Sequence, residues 1–155
     1  GAGHERGLRP GTENVASLVG FGVACEVAAK ELDATAARSL ALRERLWAQL
    51  RDGVPGVALN GHPTERLSNT LSARFPRVSG NALLAAATEV AASTGSACHA
   101  GGESAPAAVV AMGVPAAEAL GTVRLTTGRH NTEADIDRAA ASLVAAWRAL
   151  VTAGG

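Results

Sequence analysis

The sequence has few aromatic residues and no net charge. Among 155 residues there is no tyrosine, and the aromatic content is 3%, so the stacking surfaces with which proteins bind single-stranded nucleic acid are largely missing. Fourteen basic and fourteen acidic residues give a formal net charge of +0, so no overall field attracts a phosphate backbone or anionic lipid. These deficits disfavour nucleic-acid binding and imply a core of alanine, leucine and valine.

Cysteine and long hydrophobic runs are also scarce. The chain has two cysteines, Cys25 and Cys98, and no apolar run at its start of the kind found in secretory signals, so we expect the cytoplasm rather than a disulfide framework. Charged residues and prolines interrupt every Ala/Val-rich stretch before it reaches the ~20 residues of a membrane span, so we expect a soluble protein. The length favours one domain. Because the chain opens on Gly1 rather than methionine, we also expect a preceding part of the protein.

Helical periodicity dominates the first third of the chain. Small and apolar residues recur every three or four positions over residues 15–32, which predicts a helix with a buried stripe. Cys25 lies in this stripe, so core packing is the expected role of its thiol. A second stripe over residues 40–50 predicts another helix, capped by Asp33 or Thr35. Together the two would form a long helix that is bent or broken.

Shorter elements follow. Apolar and polar residues alternate in 67-LSNTLSARF-75 and in 122-TVRLTTG-128, which predicts two half-buried strands, the second with Arg124 on its polar side. Thr132, with Asp135 three residues later, predicts the capped start of a last helix. The remaining signals predict a helix over 80–88, a short strand over 89–94, a helix capped by Ser104, and another beginning at Pro115. The fold class predicted is α+β, with a small, mostly antiparallel sheet packed with helices.

The segment 93-STGSACHAGG-102 holds the candidate nucleophile. Cys98 stands among glycine, alanine and serine, which leave a thiol uncovered, and His99 beside it would favour the reactive thiolate. The residues alone leave two interpretations open, a reactive cysteine and a loop that happens to contain one. A zinc site formed by Cys98, His99, His62 and His130 is disfavoured, because no ligand pair has the spacing that zinc sites use.

Two other features bear on ligand binding. Arg124, with Arg129 after the turn, is a candidate fork for a carboxylate, although a solvated surface arginine is the alternative. The opening GAGHERG has glycines spaced GxGxxxG with no strand before them, which is a weak match to a nucleotide-binding fingerprint.

Three motifs in this order resemble one known family. The runs 4-HERGLRPGTEN-14, 95-GSACHAG-101 and 123-VRLTTGRHNTEADID-137 are similar to the C-terminal portion of the pyridoxal-phosphate-dependent cysteine desulfurases and selenocysteine lyases. The resemblance covers nearly the whole chain. It implies the small domain of a fold-type I enzyme, with an inter-domain or dimer arm at 1–14, a C-terminal domain at 15–155 and a nucleophile loop at about 93–103.

The resemblance also implies the site residues. Cys98 matches the loop cysteine that takes sulfur from L-cysteine as a persulfide, leaving L-alanine, and Arg124 matches the arginine that binds the substrate carboxylate. Thr12 matches the threonine that reaches the cofactor phosphate of a neighbouring subunit, which implies a homodimer. A sulfur-acceptor protein, such as an iron–sulfur scaffold, is the implied partner. The matching role of Arg9 stays open.

This chain departs from the family pattern at the cofactor. The family's Schiff-base lysine lies upstream of the matched segment, and the only lysine here is Lys30, on an alanine-rich helix without a cofactor-lysine context. We therefore expect the chain alone to be inactive. His99 leaves selenocysteine lyase open as an alternative. An isolated persulfide carrier or interaction domain is the alternative outside the enzymes.

Overall fold

The computed structural model describes residues 3–95 and 104–154. The chain divides into two compact units, Gly1–Thr35 and Ala36–Gly155. The first unit contains a short 3-10 turn, Glu5–Gly7, and the beginning of helix α1, Val15–Gly53, whose remainder belongs to the second unit. No helix in the described part of the chain is long and apolar enough to cross a membrane.

The second unit is built on a three-stranded antiparallel sheet. Its strands are β1, Ala58–Leu59, β2, Thr70–Arg74, and β3, Thr122–Thr126, in the spatial order β1-β2-β3. Strand β2 lies in the middle and pairs with β3 over its whole length. The predicted fold class, α+β with a small antiparallel sheet, is confirmed.

The described part of the second unit contains four further helices. They are α2, Gly80–Ala86, α3, Ala107–Ala111, α4, Ala116–Ala119, and α5, Glu133–Ala153. The α5 start has the predicted capping box: Thr132 Oγ1 accepts from the Asp135 backbone N–H at 3.2 Å, and Asp135 Oδ2 accepts from the Thr132 backbone N–H at 2.8 Å. This reciprocal pair satisfies two donors that the first helical turn leaves without partners.

One hydrophobic cluster joins the sheet to α1 and α5. The alternation predicted for the strands places Leu71 and Ala73 of β2 on the apolar face, both buried, with Val123 and Leu125 of β3. The buried residues of the long helices that share this cluster are Leu42, Leu46, Leu50, Ile136, Ala140, Leu143, Ala146 and Trp147. Because the apolar side chains all use one face, the other face of the sheet is left to Ser72, Arg124 and their polar neighbours.

Several boundaries differ from the sequence predictions. Asp33 and Thr35 do not cap a second helix, because α1 is one continuous element from Val15 to Gly53. The residues around them are helix formers without glycine or proline, so helix propagation prevails over a cap. The segment 89–94 forms no strand and contributes only an isolated bridge at Ser93.

Three further predictions are wrong. Ser104 is not a helix cap: α3 begins at Ala107, with Pro106 at the N-cap position, because the residue before a proline is kept out of the helical region. Cys25 is exposed rather than packed in the core. Leu67, expected on the buried side of its strand, is 70% exposed and precedes β2.

Candidate active site

Arg124 occupies the middle of β3, between two neighbouring segments. On one side it is the register partner of Ser72 in β2. On the other side it forms an isolated antiparallel bridge with Ser93, in which the Arg124 N–H donates to the Ser93 carbonyl at 2.7 Å and the Ser93 N–H donates back at 3.2 Å. The backbone of Arg124 is therefore fixed on both edges, while its side chain is exposed on the polar face.

A cavity of about 620 Å³ adjoins Arg124. Its polar lining comes from the sheet, from the start of α2 and from nearby loops: Asn60, Ser72, Asn81, Ser93, Thr94, Ser104, Thr122 and Arg124. Its apolar lining comes from the segment 105–109 and Met112. Volumes of 300–1,000 Å³ with a few convergent polar groups are typical of small-molecule sites.

Two arginines lie on the polar face of the sheet, and their surroundings differ. Arg74 Nη1 donates to Asn60 Oδ1 at 2.5 Å and to the Leu59 carbonyl at 3.2 Å, and its Nε lies 3.9 Å from a carboxylate oxygen of Glu118. The Arg124 guanidinium has no hydrogen-bond or ion-pair partner among residues 3–95 and 104–154. Among the described residues that line this cavity, Arg124 is thus the arginine whose guanidinium has no partner.

Arg124 and Arg129, predicted to form one carboxylate fork, do not line the same cavity. Arg129 is not among the lining residues. Its backbone carbonyl accepts from Arg38 Nη1 at 2.6 Å, and Arg38 Nη2 donates to the Asn131 carbonyl at 2.5 Å. These bonds attach the turn after β3 to α1, so the segment at Arg129 has a structural contact of its own.

Cys98 and His99 lie outside the described residues, which leave out 96–103. The last described residue before this gap, Gly95, and the first after it, Ser104, both line the Arg124 cavity. Ser93 Oγ accepts from the Gly95 N–H at 3.3 Å and donates to the Gly95 carbonyl at 2.8 Å, and Thr94 Oγ1 donates to Asn81 Oδ1 at 2.8 Å. The chain that leads to Cys98 is thereby anchored at the cavity.

Thr12 lies in the first unit, in a turn that Arg9 organises. Arg9 Nη1 donates to the backbone carbonyls of Pro10 and Gly11, each at 3.2 Å, and of Thr12 at 2.8 Å. Gly11 has φ 94°, a left-handed conformation that favours glycine. The Arg9 guanidinium thus binds three successive backbone carbonyls, the last of them that of Thr12.

Two side chains that the sequence interpretation passed over hold the loop after β1. Arg66 donates to the carbonyls of Asn60, at 3.1 Å, and His62, at 2.5 Å from Nη2, and burial, with Arg43 nearby, lowers the pKa of Arg66. Asn60 is buried and lines the Arg124 cavity. The Asn-Gly pair at this position predicts only a turn, so no local signal indicated that the amide faces a cavity.

Residues 2–139 match the Aminotransferase class-V family, and the chain belongs to it. It is 41% identical over 140 residues to cysteine desulfurase IscS 1 of Archaeoglobus fulgidus, covering 89% of this chain and 36% of that protein. It is also 41% identical over 140 residues to cysteine desulfurase IscS of Methanosarcina thermophila, covering 34% of that protein. The chain thus spans about a third of the length of these relatives.

Solved structures agree with the sequence relatives. A NifS-like protein superposes with a TM-score of 0.78 at 31% identity, over 94% of this chain and 37% of the other. A NifS-like protein from Rickettsia africae superposes with a TM-score of 0.80 at 26% identity, over 96% of this chain and 39% of the other. The fold is therefore that of the corresponding part of NifS-like proteins.

Proposed function

We propose that this chain is the C-terminal part of a pyridoxal-phosphate-dependent cysteine desulfurase. Membership of the class-V family and the named relatives support the reaction class. The observation that carries the proposal is the Arg124 guanidinium, which has no partner among the described residues and adjoins a cavity of small-molecule size. An arginine so placed recognises the carboxylate of an amino-acid substrate through two parallel hydrogen bonds.

Arg124 and Cys98 have separate roles in this proposal. Arg124 holds the carboxylate of L-cysteine and so orients its sulfur. Cys98 accepts that sulfur: the carbon–sulfur bond of the substrate breaks, a sulfur–sulfur bond forms on Cys98, and L-cysteine leaves as L-alanine. The two cysteine sulfurs and all protons are retained between the products, so the exchange needs no external oxidant or reductant.

Chain length is compatible with these roles. Cys98 follows Gly95, a residue of the cavity lining, by three residues. Three residues span at most about 10 Å when fully extended. The sequence itself therefore keeps the proposed nucleophile tethered close to the proposed carboxylate site.

The described residues do not fit the cofactor's own attachment point. A Schiff base with an aldehyde needs a lysine amine, and residues 36–155 contain none, while Lys30 lies exposed on α1. When bound, pyridoxal phosphate supplies the electron sink for breaking the substrate bond. We assign its lysine to a preceding domain and give Thr12 a contact to the cofactor phosphate of a partner subunit, so the active enzyme is a homodimer.

The first part of α1 supports such contacts. Large apolar side chains exposed on it are Val15, Leu18, Val19, Phe21, Val23, Val27 and Leu32. An apolar patch of this kind marks a protein contact surface more often than a solvated one. We assign it to packing within the complete dimer, with 1–14 as the arm and 15–155 as the small domain. A sulfur-acceptor protein, such as an iron–sulfur scaffold, would receive the persulfide.

Alanine and persulfide formation test the proposal in the complete protein loaded with pyridoxal phosphate. Wild type is expected to release L-alanine from L-cysteine and to carry a persulfide on Cys98. The variant Cys98→Ala is expected to lose the persulfide, and the matched control Cys25→Ala to keep it, because Cys25 is an exposed residue of α1. A persulfide that survives in Cys98→Ala would refute the assignment. Turnover restricted to selenocysteine would instead identify a selenocysteine lyase.

A further inference from the structure

We propose that Asn60 is a positioning residue that keeps the Arg124 guanidinium available to a ligand carboxylate. The identity of that ligand, L-cysteine, rests on the proposed function, whereas the effect on Arg124 does not. Nothing in the residue's own sequence context distinguishes it from an ordinary turn asparagine. The argument comes from the three strands that its side chain connects.

Asn60 is 6% exposed and follows β1 directly. Its side-chain amide donates to Ser72 Oγ at 2.9 Å and to Thr122 Oγ1 at 3.3 Å. Its side-chain oxygen accepts from Arg74 Nη1 at 2.5 Å. The backbone is held as well, because the Asn60 N–H donates to the Ser72 carbonyl at 2.9 Å. One buried amide thus contacts β2 twice and β3 once.

The two hydroxyls that Asn60 engages are neighbours of Arg124. Ser72 is the register partner of Arg124, and side chains of directly paired residues have Cβ atoms about 4.5–5.5 Å apart on one face. Thr122 precedes Arg124 by two residues in β3, so it points to the same face. Asn60, Ser72, Thr122 and Arg124 all line the same cavity.

This arrangement determines which hydrogen-bond acceptors are available to the Arg124 guanidinium. An arginine fork binds oxygen acceptors, and the Ser72 and Thr122 hydroxyls line the same cavity as the Arg124 side chain. By donating to both hydroxyls, Asn60 occupies acceptor positions that would otherwise compete with a ligand carboxylate. By accepting from Arg74, it also fixes the second guanidinium of this face, so that among the described residues a carboxylate meets one arginine without a partner.

Removing the Asn60 amide should therefore let the Arg124 guanidinium form a hydrogen bond within the protein. In Asn60→Ala the Ser72 hydroxyl becomes available to the guanidinium, and an internal hydrogen bond of this kind must be broken before substrate binds. Hydrogen bonds to charged groups contribute enough for KM to rise about tenfold. Since the change acts on binding, kcat should fall much less. The double variant Asn60→Ala/Ser72→Ala removes the acceptor that lies directly opposite Arg124 and leaves only the buried Thr122 hydroxyl, so KM should return part of the way toward the wild-type value.

Two measurements on the complete protein test the inference. The first is steady-state release of L-alanine from L-cysteine by wild type, Asn60→Ala, the double variant and the matched control Asn69→Ala. Asn69 also joins two segments, through its Nδ2 and the Thr127 carbonyl at 3.4 Å, but it does not line the cavity. The second is the rate at which phenylglyoxal modifies Arg124, followed by peptide mass spectrometry.

The outcomes separate this inference from the proposed function. A raised KM in Asn60→Ala with recovery in the double variant supports it, as does slower modification of Arg124 that the double variant restores. An unchanged KM, or a KM raised equally in Asn60→Ala and the double variant, refutes it. If wild type releases no alanine, the proposed function fails, and the modification rates alone decide: unchanged rates in Asn60→Ala would then refute the positioning role.

Discussion

The substitution Gly80→Ala places a methyl group where the start of α2 lies against the backbone of β3. A Cβ at residue 80 would overlap the Thr122 carbonyl oxygen and lie 2.9 Å from Thr94 Cγ2. The first contact is with backbone, and β3 is paired along its whole length with β2, so no side-chain rotation relieves it. Overpacking of this kind lowers the free energy of unfolding by about 2–3 kcal/mol. Alanine also reduces the conformational entropy of the unfolded chain, which offsets ~0.5–1 kcal/mol of that loss. The expected net decrease in the free energy of unfolding is about 1–2.5 kcal/mol.

Thermal and urea unfolding measure that loss, with the tryptophan emission of Trp47 and Trp147 as the signal. For a chain of this size the loss corresponds to a Tm lower by roughly 2–10 °C. The matched control is Gly22→Ala in α1, where an added Cβ meets nothing within 4 Å and alanine should strengthen the helix by ~0.5–1 kcal/mol. A Gly80→Ala protein as stable as wild type would refute the steric argument, and so would equal losses in the two variants.

Two more predictions concern α5. Arg45 and Gln49 donate hydrogen bonds to the Asp137 carboxylate and lower its pKa from 3.8 to about 2. Because the pKa is lower in the folded state than in the unfolded state, these bonds stabilise the fold above pH ~4, and the stabilisation disappears as the pH falls toward 2. Urea midpoints of wild type and Asp137→Asn should therefore differ at pH 7 and converge as the pH falls toward 2, and a constant difference would contradict the linkage. Thr132→Ala removes the capping box and should cost about 1 kcal/mol in thermal unfolding, whereas Thr152→Ala, at the exposed end of the same helix, should change stability by less than ~0.5 kcal/mol.

Features that depend on near neighbours were predictable from the sequence. The Thr132 capping box needs only residues three apart, and the burial of Val123 and Leu125 opposite an exposed Arg124 follows from the two-residue period of a strand. Signals that compete with stronger neighbours were misleading. Ser104 resembles a cap, but Pro106 sets where the helix begins, and Asp33 stands in a run that prefers to remain helical.

The arrangement of the candidate site was predictable only in part. The sequence indicated that Arg124 lies on the polar side of its strand, because periodicity alone decides that. It could not indicate that Arg74 has acceptors while Arg124 has none among the described residues, since the distinction depends on Asn60, 14 residues before Arg74. Contacts between distant segments arise from the register of β1, β2 and β3, and no short motif records that register.

Helix α1 illustrates what a hydrophobic stripe does and does not predict. In its second part the stripe is buried at Leu42, Leu46 and Leu50, and the sheet and α5 supply the covering residues of the same cluster. In its first part the stripe has the same spacing, yet Leu18 is 60% exposed and Phe21 is 69% exposed. Periodicity therefore predicts that a face makes a contact, without saying which residues provide it. Because residues 3–95 and 104–154 leave this face uncovered, the pattern supports the dimer and domain contacts of the proposed function.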